Sequence, residues 1–244
     1  MITLVISLVI GFAIGFIPVL PFIQLHWSLC IFLSLIISIF VFVKMMKKNN
    51  ELVKPIFDNV QKMMQGQKWK QALEILETAR PFKNKIFLLE GQIESLYGTV
   101  YYYQSKEEDA IRHFEKGTVQ NWMAVIMHAF LLSKKKQDDE MIKKFEYALK
   151  FNGKEVMLWN AYAFCLDRIR KKDDAIAVLN RALKKLGRNP ETEANLNSLK
   201  NDKGMNMKPF GEMWYSLKLE PIPRQFMQRV SSHPGDRGFR QKRG

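Results

Sequence analysis

The chain opens on an unbroken apolar run and then becomes periodic. From Met1 to Val43 no Lys, Arg, Asp or Glu interrupts it. Pro18 and Pro21 divide this run into Ile2–Ile17 and a second stretch from about Trp27 to Val43. Each half is slightly short of the roughly 20 apolar residues that cross a bilayer. The pattern predicts two short, tilted transmembrane helices joined by a turn that ends near His26 and Trp27. Gly11 and Gly15 share one face of the first helix and would let a neighbouring span approach closely. A cleaved signal peptide fits less well, because the N-terminus lacks basic side chains and no A-x-A site follows. Lys44, Lys47 and Lys48 place the next flank in the cytoplasm by the positive-inside rule.

Beyond Lys48 the apolar positions recur at helical spacing. The clearest case is residues 156–190. Val156–Ile169 is apolar on nearly every side, as a helix buried between neighbours should be. Arg170, Lys171 and Lys172 end it, and Asp173 and Asp174 supply negative charge to the first turn of a second helix. There Ala175, Ile176, Val178, Leu179, Ala182, Leu183 and Leu186 fall on one face. Gly187 and Pro190 stop that helix. A hairpin this short cannot bury its apolar face alone, so copies are expected.

Copies are present. Ala148 and Ala182 are 34 residues apart. Earlier pairs are read at Trp122–Asn152, at GQIESLYGTVYYYQSKEEDAIRHFEKG, and at Pro55–Gln65 with Trp69–Arg80. Their second helices carry Ala72/Leu76/Ala79, Ala110/Phe114/Gly117, Met141/Phe145/Ala148 and Ala175/Leu179/Ala182. On the first helices, Trp159 and Gly98 are accompanied by the small residues Ala129 and Ala163. This series resembles the tetratricopeptide repeat superfamily over roughly Val53–Pro190. Met141 departs from it by its bulk, and the second repeat is short.

The resemblance implies an all-α fold: an N-terminal transmembrane helical hairpin followed by a tetratricopeptide-like α-solenoid of about four helix pairs. It also implies a groove lined by the first helix of each pair. The groove positions are Tyr102, Tyr103, Met123, Ile126, Phe130, Lys134, Met157, Asn160, Phe164 and Arg168. Rich in Met and aromatics, they suit an apolar or amphipathic segment of a protein partner. Asn160 and Arg168 alone match a carboxylate clamp, so no clamp is expected. The competing reading is that several of these side chains are core between repeats.

The expected organisation is 1–43 transmembrane, 44–52 a basic juxtamembrane linker, 53–189 repeats, 190–228 a capping helix with an aromatic extension, and 229–244 a basic tail. The extension carries Phe210, Met213, Trp214, Tyr215, Leu217, Leu219, Ile222 and Phe226, a density that rarely stays in water. The tail holds Arg237, Arg240, Lys242 and Arg243 against one Asp236. It lacks periodicity and reads as a solvated segment able to touch anionic lipid.

Composition narrows the function class. The formal net charge of +14 suits an anionic partner without choosing one. Nucleic acid is not expected, for no folded nucleic-acid motif accompanies the basic residues. Cys30 and Cys165 stand in apolar surroundings and read as small hydrophobes. The four histidines show no metal-ligand spacing, and no P-loop or nucleophile elbow occurs. No catalytic residue, metal or cofactor is expected. The expected function is a membrane-anchored adaptor that binds a protein partner at the cytoplasmic face of a membrane, in the bacterial inner membrane. The alternatives are a structural subunit of a secretion, pilus or motility machine, or a protein binding anionic lipid or nucleic acid through its tail. Membrane lipid contact through residues 1–43 and oligomerisation are both compatible with this pattern.

Overall fold

A computed structural model describes residues 2–15 and 27–221. Among the described residues every regular element is helical. The chain divides into two compact units, Met1–His128 and Ala129–Gly244. The first contains α1 (Ile2–Gly15), α2 (Trp27–Gln65), α3 (Trp69–Glu77), α4 (Leu89–Tyr103), α5 (Glu107–Glu115) and the start of α6 (Trp122–Lys134). The second contains the end of α6, then α7 (Asp138–Phe151), α8 (Val156–Arg168), α9 (Lys172–Leu186), α10 (Pro190–Lys200) and α11 (Gly211–Ser216).

The expected transmembrane hairpin is overturned. Among the described residues no helix is long and apolar enough to cross a membrane. With 14 residues, α1 is about 21 Å long against a hydrocarbon core of about 30 Å. The apolar part of α2 ends at Lys44, and Lys47 and Lys48 come within the same helix. The integral-membrane localisation, and with it the inner-membrane placement, falls on the same finding. Residues 44–52, expected as a linker, are helical and continuous with the turns that run on to Gln65. Pro55 does not start a helix but lies inside α2, which lacks one backbone donor there. The turn around Pro18–His26 and the basic tail at 229–244 lie outside the described residues.

The close approach assigned to Gly11 is made within the chain. A Cβ at Gly11 would sit 2.7 Å from the Ser38 nitrogen and 2.8 Å from the Ser34 carbonyl oxygen. Thr3, Ser7, Ser34 and Ser38 are buried along the same seam, while Val5, Val9, Phe32, Ile39 and Phe40 are exposed. Small and polar residues thus face inward and large apolar ones outward. Thr3 donates its hydroxyl hydrogen bond to the Lys85 carbonyl, and the Ile2 amide bonds the Asn84 carbonyl at 3.2 Å. The start of α1 is thereby tied to the loop before α4.

The remaining helices form hairpins through one recurring turn. Gln67, Ser105, Lys136, Arg170 and Asp202 come just after the ends of α2, α4, α6, α8 and α10, and each has φ between 56° and 65°. The next amide in each case donates to the carbonyl five residues back: Lys68 to Met63, Lys106 to Tyr101, Gln137 to Leu132, Lys171 to Leu166 and Lys203 to Ser198. This is a Schellman closure built without glycine. The sequence pattern places α10 as a cap, yet it ends as the first helix of a pair does. Asn189 caps its start, accepting from the Thr192 amide at 2.9 Å, with Pro190 at the first helical position.

Small residues let the paired helices close. Ala72, Leu76, Ala79, Ala110, Met141, Phe145, Ala148, Ala175, Leu179 and Ala182 have no exposed area, and Phe114 is nearly as buried. In the α4–α5 pair a Cβ on Gly98 would lie 2.4 Å from the Phe114 ring. In the first unit Val53 and Val60 of α2 join Ala72, Leu76, Ile93 and Tyr97 in a single core.

This packing makes two substitutions informative. Gly98→Ala is expected to cost about 1–3 kcal/mol in urea denaturation, because the buried Phe114 ring has to move. Lys136→Gly is expected to raise stability by about 0.5 kcal/mol and Lys136→Val to lower it by about 1 kcal/mol, both read from thermal melts, since glycine carries no left-handed penalty.

Candidate partner-binding surfaces

The ten expected groove residues fall in both units, and the structure sorts them by burial. In the first unit Ile126 is fully buried and Tyr102 nearly so. Tyr103 stacks on Trp69 with ring centroids 5.9 Å apart and meets Tyr102 edge-on. Burial pushes the Tyr103 phenol up to about 12, so it remains a neutral hydroxyl. Met123 is half-buried. These side chains are therefore mainly core, the competing reading of the pattern.

The first unit also holds a polar cluster that the sequence does not reveal. The His113 Nδ1 lies 2.7 Å from the Glu94 carboxylate, and its ring is stacked against both Tyr97 and Tyr101 at 5.1 and 5.2 Å. Arg80 reaches Glu77 at 2.7 Å and Glu94 at 3.7 Å and lies over the Tyr97 ring. Tyr97 donates to Glu77. Burial, then this contact with Glu77, raises the Tyr97 pKa. A carboxylate as buried as Glu94 needs such partners. The cluster joins the end of α3 to α4 and α5. Its members lie up to 36 residues apart in sequence, and no short motif connects them.

In the second unit Asn160 is not a ligand-facing side chain. It has no exposed area, and its amide donates to Thr192 at 2.9 Å and to the Val156 carbonyl at 3.0 Å. Its own oxygen accepts from Asn195 at 3.0 Å, and the Asn195 oxygen accepts from the Asn206 amide at 2.8 Å. The network ties α8 to α10 and to the segment after α10. Met157 and Phe164 are buried beside it. Trp214 of α11 is fully buried and meets Phe164 edge-on at 4.9 Å. Its indole donates to Glu220 at 2.7 Å. Tyr215, Leu217 and Leu219 are buried with it. The aromatic extension therefore packs within its own unit and covers part of the surface assigned to a partner.

What stays open is at the ends of α6 and α8. Arg168 is exposed, with its guanidinium carbon 5.5 Å from the Phe130 ring and 5.6 Å from the Phe164 ring. Lys134 is exposed nearby along α6. A cleft of about 440 Å³ is lined by Phe130, Lys134, Lys218, Leu219, Glu220 and Pro221. Another ion pair of this unit is closed on itself. Arg181 bonds both oxygens of Glu146 at 2.6 and 2.8 Å and lies over Trp159. That hydrogen bond holds the Glu146 carboxyl below its usual range.

Gly11 is part of the α1–α2 seam, and the side-chain surroundings of position 15 lie outside the described residues. Among the described residues no group of three or more His, Cys, Asp or Glu side chains is placed to hold a metal. Cys165 is fully buried, and that burial pushes its thiol up to about 12, far from a reactive thiolate. The chain matches no family model, no curated protein and no solved structure.

Asn160→Ala is expected to cost about 1–3 kcal/mol, because it strands polar atoms of Asn195 and Thr192 in the interior. Urea denaturation monitored by tryptophan fluorescence measures it. A change under about 0.5 kcal/mol, the usual range for surface substitutions, would show that the network is not a structural tie.

Proposed function

We propose that this chain is a helical-repeat scaffold of the tetratricopeptide kind, whose work is to hold a protein partner. The observation that carries the reading is repetition. The same left-handed turn closes five successive first helices, and each paired second helix buries a large side chain (Leu76, Phe114, Phe145 or Leu179) with an alanine beside it (Ala72, Ala110, Ala148 or Ala175). Such hairpins stack to present long surfaces, and they serve recognition more often than reaction. The exposed cation on aromatic rings at Arg168 is a feature suited to recognition. The reading assigns no catalytic residue and no cofactor. It does not include a membrane anchor.

The test is site-specific crosslinking in the native host. Photoreactive residues are placed at the exposed positions Lys106, Lys134 and Tyr147. Trapping of one defined protein from at least one position is expected. The absence of any adduct from all of them would overturn the scaffold reading.

A further inference from the structure

We infer that the cleft between the end of α6 and the C-terminal extension takes an acidic segment of a partner protein that carries an apolar side chain next to a carboxylate. This rests on the scaffold reading and names the ligand class of one surface. The argument begins with Arg168. Two aromatic faces hold its guanidinium in place while the side chain remains exposed. A guanidinium held in this way keeps its fork of N–H donors, and that fork matches a carboxylate. Among the described residues no carboxylate forms a salt bridge with it.

The neighbouring cleft supplies the second half of the recognition. Phe130, Leu219 and Pro221 give it apolar walls, and Lys134 and Lys218 add positive charge. Among the described lining residues Glu220 is the one carboxylate, and it already accepts from the Trp214 indole. With Arg168 the described residues of the site comprise three cations and one carboxylate. Such a field draws in negative segments and repels positive ones.

Charge also decides between occupants. The chain leaves the described region at Pro221, on the wall of the cleft. Its own continuation carries Arg224 and Arg229 and has no carboxylate before Asp236. A like-charged segment is a poor occupant, whereas an acidic, apolar one complements both walls and rim. The recognition is not a clamp of paired Asn and Arg, since Asn160 is enclosed in its own network.

The experiment uses the full chain and a short fluorescent peptide alternating Glu and Leu, read by anisotropy. Matched peptides replace Glu with Lys, or Leu with Ser. Binding of the Glu-Leu peptide alone is expected, weakening as salt rises. Arg168→Gln and Lys134→Glu are each expected to weaken it about tenfold or more. Both positions are exposed, and unchanged helical content by circular dichroism confirms an intact fold. The proposal is overturned by no binding, by equal binding of the Lys-Leu peptide, or by binding that both variants leave unchanged. Preferential binding of a single-stranded oligonucleotide at the same site would also overturn it. If crosslinking in the host traps a partner that Arg168→Gln still holds, the scaffold reading stands and this site does not.

Discussion

A helix of thirteen to fifteen residues cannot bury an apolar stripe unless the chain turns back sharply enough to bring a second helix against it. Here that reversal depends on a single residue in the left-handed region and on the next amide, which reaches five residues back. The geometry recurs with Gln, Ser, Lys, Arg and Asp at the critical place. Non-glycine residues carry a steric penalty there, of order 1 kcal/mol each. The penalty is tolerated because the pairing behind each turn buries whole rows of Ala, Leu and Phe at once. The turn sets the distance between helices, and the small residues at the crossings are the consequence.

Much of this is legible in the sequence. The limits of α3, α7, α8 and α10 match the apolar period to within a few residues, and the triplet positions that the spacing picks out are buried except Gly117, which is half-buried beyond the end of α5. The left-handed residues are not legible, because Lys136 and Arg170 look like ordinary basic loop residues. Pro55 misleads by its identity: proline at a helix start is the commoner arrangement, but here it lies inside a long helix. For the apolar run at the N-terminus, composition is the main signal. Composition does not show where a helix ends, nor that Lys44, Lys47 and Lys48 continue the same helix.

The candidate surface is less legible than the fold, for a physical reason. A first-helix position can face a partner or a neighbouring element, and the sequence is the same in both cases. Asn160 has the look of a polar ligand residue and is instead the centre of a buried network with α10. Phe164 has the look of groove lining and is covered by Trp214 from one side. Arg168 is exposed, and its supports, the rings of Phe130 and Phe164, are themselves residues expected to touch the partner. In the second unit the C-terminal extension buries part of the expected surface and leaves the cleft beside Phe130 and Lys134.

The long helix of the first unit has a mechanical side. At 39 residues, α2 is a rod of about 58 Å. Its early turns hold α1 through the seam at Ser34 and Ser38, and its late turns belong to the core with Ala72 and Leu76. No loop separates the two jobs, so the hairpin and the first repeat share an axle. Bending is cheapest at Pro55, where the proline leaves one helix hydrogen bond unmade. The placement of α1 and that of the first helix pair are therefore set by one and the same helix.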